Sequence, residues 1–417
     1  MSGGGPAVVG YGQVLRHREF TALLGARMAS DWGDHIARVA IAALMLEVSG
    51  SIALSAATFA ISWLPSIFGQ ALLGPYADRF PRRALLVVCD VLRAVLVALL
   101  LAAVVVEVPL VLLLVLLFLV ELAGAPFYAA TMSLLADVFT DRREFLTAHA
   151  LLRVLGQANQ VIGLGVGGLL VALLQVRGAL VLDIASFVVS GLLLLLFVRR
   201  RAAAAAPAGR RPGLWADVRA GAAHLRGDVP LRSLMTLAWA MSLVFTAPEA
   251  VALAYAAEQG ASTRVGGLLL AAPAAGAVIG AWLVGRWGWR AQVQRILPLA
   301  AASGIPLLAV ALEPPWPVAL VLFALSGAAG AFMVPLLSVF TVLSPETMRG
   351  RLNGLAGAGF SAATVSGFLA VGLMADLTSP AFAVTVAGAA GCTALAALWP
   401  RWPRRELSRA ARRAFAD

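Results

Sequence analysis

The sequence predicts an all-α integral membrane protein, with twelve transmembrane helices in two six-helix bundles. Three observations carry this reading. The 417 residues are 61% hydrophobic and only 13% charged, with a mean hydropathy of +0.90, far above the apolar share of a soluble domain. Apolar runs recur at about the 20 residues a helix needs to cross a bilayer core. Arginine is confined largely to alternate connections between those runs.

The runs fall near 20–47, 53–76, 84–106, 109–135, 146–174, 178–198, 232–257, 265–285, 295–312, 316–343, 353–375 and 379–399. The first is long and carries several charges. The third and fourth are separated only by "EVP", which makes theirs the boundary most easily cut in the wrong place. The seventh contains Pro248 and the fourth Pro126, each able to loosen a helix and free backbone groups toward a cavity.

One set of connections holds Arg79, Arg82, Arg83, Arg142, Arg143, Arg286, Arg290, Arg349 and Arg351, while the other holds only Arg177 and Arg264. Every basic residue is arginine, and the chain has no lysine. The net charge of +11 is therefore read as topology, not as a nucleic-acid surface, and positive-inside bias places both termini in the cytoplasm. The first 20 residues lack a charged segment leading into a short apolar core and a small-residue cleavage site, so no cleaved leader is expected. The expected location is the cytoplasmic membrane. Cys89 and Cys392 fall inside apolar runs, where free cysteine behaves as a small hydrophobe.

Residues 199–231 form the longest and most basic connection, dividing the chain into an N-terminal bundle (1–198) and a C-terminal bundle (232–400), followed by a basic tail (401–417). The stretch from Gly213 to Leu225 reads either as an amphipathic surface helix or as a flexible linker. The two halves echo one another. "DVFTDRREFLTAHAL" (137–151) aligns with "TVLSPETMRGRLNGL" (341–355), and "GPYADRFPRR" (74–83) aligns with "AWLVGRWGWR" (281–290). Two six-span repeats are an architecture of secondary transporters.

"GPYADRFPRR" resembles the loop signature G-x-x-x-D-R-x-G-R-R of the major facilitator superfamily, with Gly74, Asp78, Arg79, Arg82 and Arg83 in place and Pro81 where glycine is usual. The resemblance implies the major facilitator fold. It also implies a gating role: the aspartate faces the N-terminus of helix 11, and the arginines contact the end of helix 4, where Asp137 is the acidic partner. "GQANQVIGLGVGG" (156–168) resembles the antiporter pattern ending G-P-x-x-G-G, with Gly163, Gly167 and Gly168 matched and Leu164 replacing proline. More loosely, "GDHIARVAIAALMLEVSGS" and "LDIASFVVSGLLLL" are similar to spans 1 and 6 of the branch that includes macrolide and siderophore exporters. What this resemblance implies is export of a small amphipathic drug or metabolite by proton antiport, through alternating access.

Span 1 raises the sharpest chemical question. At about 100° per residue, Arg27, Asp31, Asp34, His35 and Arg38 share roughly a quarter turn of one helix. Charge facing lipid is costly, so this face looks into a bundle or an aqueous cavity. Arg27 to Asp31 and Asp34 to Arg38 stand at i,i+4. They read either as ion pairs that fix packing or as carboxylates only partly engaged by arginine and able to take a proton during a cycle. Glu121 in span 4 has no arginine in its own helix. Arg153 and Glu249 are further candidates, Arg93 is placed nearer the cytoplasmic side, and Asp183 is placed at the outer end of span 6. Trp63, Phe127, Trp239 and Phe245 are candidate aromatics for an apolar or cationic substrate.

The expected partners are a small-molecule substrate, protons and the lipid bilayer, for a monomer with no cofactor. His17, His35, His149 and His224 form no metal-ligand spacing, no nucleophile shares a loop with a base, and there is no phosphate-binding G-x-x-x-x-G-K-[ST] loop. These features speak against a polytopic enzyme and a nucleotide-driven pump. A lysolipid or lipid translocator of the same fold is the rival transporter reading.

Overall fold

The computed structural model describes residues 10–201 and 214–415; the side chains of 68–79, 214–217, 410–411 and 413–415 lie outside the described residues. Twelve long helical segments follow one another. They are α1 (Arg18–Ser49), α2 (Ile52–Arg79), α3 (Arg82–Val105), α4 (Leu110–Val138), α5 and α6 (142–174 and 176–197) and α7 (Val229–Ala240 with Ser242–Glu258). Then come α8 (Thr263–Gly285), α9 (Ile296–Leu308), α10 (Trp316–Ala329 with Met333–Leu343), α11 (Arg349–Leu377) and α12 (Pro380–Leu398). Among the described residues, eight helical stretches are long and apolar enough to cross a bilayer, one of them being the joined α5 and α6. Ile52–Ile67 and Ile296–Leu312 are shorter apolar stretches. The charge in α1 keeps it out of that set.

The connections explain the alternation seen in the sequence. Gly50, Glu107, Gln175, Gly260 and Glu313 take φ of 67°, 56°, 58°, 67° and 48°. Each sits between an odd-numbered helix and the even-numbered helix that follows it. One left-handed residue reverses the chain within a few positions. In two of these turns the amide after the left-handed residue reaches back five positions, Val108 to Ala103 (3.2 Å) and Ala261 to Ala256 (2.9 Å), which satisfies a terminal carbonyl of the preceding helix. The connections from even- to odd-numbered helices carry the arginines. α5 and α6 are joined almost without interruption, because Gln175 (φ 58°, ψ 178°) alone breaks the helical geometry.

Two compact units are distinguished. The first takes Met1–Ala37, Phe68–Gly163 and Leu174–Ala208; the second takes Arg38–Ile67, Leu164–Leu173 and Gly209–Asp417. In the first, Leu23, Ala26, Leu86, Phe127, Ala130, Leu134 and Leu194 form a buried apolar cluster. Phe20, Leu135, Phe139, Ala148 and Leu152 form a second cluster.

In the second unit, small residues let helices touch backbone to backbone. A Cβ on Gly276, Gly280 or Gly327 would collide with the carbonyl oxygen of Ala324, Ala328 or Pro273 respectively, so α8 and α10 pack with no side chain between them. This is the packing that membrane helices use where no hydrophobic driving force operates. Also in this unit, the Asp376 carboxylate near the end of α11 caps the start of α2. It accepts from Ile52 N–H, from Ala53 N–H at 3.2 Å and from Ser51 Oγ at 2.6 Å. Four donors that a helix start leaves unpaired are thereby partly satisfied.

The long connection contains a helix, Leu214–Gly227, with Leu225 buried and Gly221 placed so that a Cβ on it would lie 3.7 Å from the Arg351 carbonyl at the start of α11. Asp228 then caps α7, accepting from Leu231 N–H at 2.9 Å. The C-terminal segment forms a further helix, Arg404–Phe415, whose Leu407 is buried.

Candidate functional site

The charged face of α1 meets its partners inside the first unit. Arg27 Nε lies 3.2 Å from Asp31 Oδ2, and the Arg27 guanidinium stands 4.9 Å above the Tyr128 ring. Asp34 is bonded by Arg93, which stands midway along α3, not near its cytoplasmic end as the sequence reading placed it. Arg93 also donates to Ser30 Oγ at 2.9 Å and covers the Phe187 ring at 4.4 Å. Gly124 on α4 faces the guanidinium, and a Cβ there would meet its carbon at 3.6 Å, an ordinary van der Waals contact. On the other side of α1, Ile36, Val39 and Ala40 are buried and Trp32 is exposed.

Further carboxylates gather around the same guanidinium. Asp34, Glu121 and Asp183 all act on Arg93, and Arg93 acts on Asp90. Asp183 is 1% exposed and packs against Gly33, where a Cβ would collide with Asp183 Oδ1 and Ser186 Oγ. It therefore packs beside α1 within the first unit. Asp90 accepts from Ser190 Oγ at 2.6 Å. Asp90 Oδ1 and Asp183 Oδ2 are buried without a hydrogen-bond donor among the described residues. Arg93 is thus the guanidinium that all four carboxylates share as an electrostatic neighbour in a low-dielectric setting. Sequence reasoning passes over Asp90, although an acid in the middle of an apolar run is itself the signal.

Other predicted residues are distributed more widely. His35 packs against Gly163, where a Cβ would meet the His35 Cβ at 2.8 Å. Arg38 and Glu249 belong to the second unit, where the arginine acts electrostatically on the glutamate. Gly167 is buried, and a Cβ on Gly168 would lie 2.5 Å from the Gly267 Cα. Arg153 is exposed and acts on His149, apart from the cluster. In the loop after α2, Arg82 Nε lies 3.0 Å from Asp137 Oδ2, and Arg83 donates to the Leu195 carbonyl. The side chains of Gly74, Asp78 and Arg79 lie outside the described residues.

The candidate aromatics have separate surroundings. Phe127 is a core residue of the first unit, packed among Leu23, Leu86 and Leu134, and does not line a cavity. Within the second unit, Trp63 is edge-on to Phe360 at 6.2 Å, and Phe245 stacks on Phe332 at 5.8 Å. Trp239 Nε1 there donates to the Ala356 carbonyl at 3.2 Å. Among the described residues, no three His, Cys, Asp or Glu side chains group as metal ligands.

The fold is shared with several solved transporters. The nucleoside transporter NupG superposes with a TM-score of 0.67 at 14% identity over 92% of this chain and 99% of that one. A bacterial homologue of the iron transporter ferroportin, in its inward-facing state, gives 0.67 at 18% identity over 92% and 98%. A bacterial homologue of the human lysosomal transporter Spinster gives 0.62 at 16% identity over 96% and 98%. In sequence, the chain is 29% identical over 181 residues to the MFS-type transporter YkuC of Bacillus subtilis (strain 168), a match spanning 43% of this chain and 42% of that relative. The family model described as Major Facilitator Superfamily matches residues 23–312. That match covers more than half of a twelve-helix membrane chain, and the chain belongs to the Major Facilitator Superfamily.

Proposed function

We propose that the chain is a secondary active transporter that exports small amphipathic molecules, drugs or secondary metabolites, in exchange for protons. The observation that carries this reading is the buried Asp34–Arg93 pair with Asp90, Glu121 and Asp183 acting on, or acted on by, the same guanidinium. Proton uptake at a surplus carboxylate changes how strongly Arg93 holds Asp34. A charged substrate competing for the same groups would then couple its release to proton entry. Such coupling needs no cofactor and no covalent step. Arginine bias supports a cytoplasmic-membrane location with both termini inside. The solved fold relatives include a nucleoside transporter and a bacterial homologue of an iron transporter, so the cargo is set by side chains and not by the fold.

The test is accumulation of a lipophilic cationic dye in efflux-deficient cells carrying wild type, Asp34→Asn or Glu121→Gln at matched expression, with and without a protonophore. Low accumulation in the wild type alone, abolished by the protonophore, is the expected result. Equal accumulation in all three overturns drug export for this dye class. Energy-independent flipping of labelled lysolipid in proteoliposomes would then favour a lipid translocator.

A further inference from the structure

Four arginines of the second unit each stack on a tryptophan at the ends of α8 and α12 and in the segment leading to α9. Arg286 stands 4.1 Å from the Trp282 ring centre, Arg290 5.3 Å from Trp289, Arg295 4.2 Å from Trp287, and Arg404 4.8 Å from Trp399. All four guanidinium-bearing residues are exposed, and Trp282 and Trp399 remain 59% and 43% exposed. None of the four arginines makes an ion pair among the described residues. Each ion pair described above lies in the first unit.

The helix Arg404–Phe415 completes this surface. It buries Leu407 and presents Arg404, Arg405, Arg409 and Arg412 outward, with Glu406 as its one acid. Between it and the helix Trp289–Gln294 is a cleft of about 200 Å³, lined by Val293, Leu297, Trp399, Trp402, Arg404 and Leu407. The cleft's lining is mostly apolar, with Arg404 as its one charged residue.

We propose that this rim is a binding site for the headgroups of anionic phospholipids in the adjoining leaflet, with an acyl chain entering along the apolar lining of the cleft. The charge complementarity is one-sided: exposed guanidinium groups with no carboxylate partner among the described residues are available to an anion, and tryptophan prefers the headgroup level of a bilayer. A guanidinium held against a ring is also pre-oriented for phosphate, which it binds through two parallel donors. The position follows from the fold, because the bearing segments end or begin spans on the arginine-rich face.

The test uses the purified full-length chain in nanodiscs of phosphatidylcholine mixed with phosphatidylglycerol. Native mass spectrometry counts the phosphatidylglycerol retained after release. Each arginine near an anionic surface contributes about fivefold in affinity, so Arg286→Gln/Arg295→Gln/Arg404→Gln should lose most of the retained phosphatidylglycerol. A triple control, Arg142→Gln/Arg143→Gln/Arg200→Gln, whose arginines stack on no tryptophan among the described residues, should keep more of it than the rim triple. Equal retention in the rim triple and the wild type overturns the proposal, as does equal loss in the control, which would mean bulk charge alone. A second measurement needs no mutation. Tryptophan fluorescence of the wild type should be quenched more by bromine-labelled phosphatidylglycerol than by bromine-labelled phosphatidylcholine, and equal quenching would also overturn the site.

Discussion

Arg93 on α3 holds Asp34 on α1, two residues 59 positions apart, and both side chains are largely buried, at 5% and 12% exposure. Removing one partner of a buried ion pair leaves an uncompensated charge, at a cost of about 3–5 kcal/mol. Arg93→Gln should therefore lower the melting temperature in detergent sharply, and adding Asp34→Asn should recover part of the loss. A double variant no better than the single one would show that Arg93 acts chiefly through its other neighbours.

Gly168 and Gly156 are both helical glycines, with opposite surroundings. A Cβ on Gly168 runs into the Gly267 backbone, whereas nothing lies within 4 Å of one on Gly156. Gly168→Ala should destabilise by about 1–3 kcal/mol through overpacking. Gly156→Ala should be neutral or stabilising by up to about 1 kcal/mol, because alanine is the better helix former. Thermal melts of the two variants side by side would expose any failure of this ordering.

Asp376 supplies three bonds to the start of α2. Asp376→Ala removes a capping carboxylate at the positive end of a helix, a loss of about 1 kcal/mol. The more discriminating readout is hydrogen exchange at Ile52 and Ala53, whose amides should lose protection while the middle of α2 keeps its own. Unchanged exchange at both amides would contradict the cap.

Gln175 occupies φ 58°, ψ 178°, a region that belongs almost solely to glycine and strains other residues by about 1–3 kcal/mol. Gln175→Gly should raise the melting temperature in spite of the greater freedom glycine gains in the unfolded chain. A lower melting temperature would mean that the side chain contributes more than the backbone strain costs.

Much of the architecture was legible because hydropathy and arginine placement report on the bilayer directly. Spans 3 and 4, parted only by "EVP", were separable since Glu107 and Pro109 mark a turn that the backbone makes at Glu107. The internal breaks were harder to read. Met241 and the tight turn of helix at Gly330–Phe332 interrupt α7 and α10 with no proline at the break. The candidate site was half legible. The i,i+4 pair Arg27–Asp31 follows from helix geometry alone. The bond from Arg93 to Asp34, and the seating of Asp183 against Gly33, depend on which faces of α1, α3 and α6 meet, and no periodicity within one helix encodes that. Phe127 shows the same blindness from the other direction, since an aromatic beside Pro126 looks available for a ligand until its neighbours enclose it.

The positive-φ reversals at Gly50, Glu107, Gln175, Gly260 and Glu313 keep the connections they serve to a few residues. Short turns offer a protease little chain to thread, and Arg177 and Arg264, the arginines beside two of them, stand within helices. Trypsin should therefore spare these turns, whereas the chain near residues 199–201 should be open to cutting into two pieces of similar size. With no lysine anywhere in the chain, amine-directed tags can attach only at the N-terminus. That single handle makes the N-terminal piece of such a digest simple to follow.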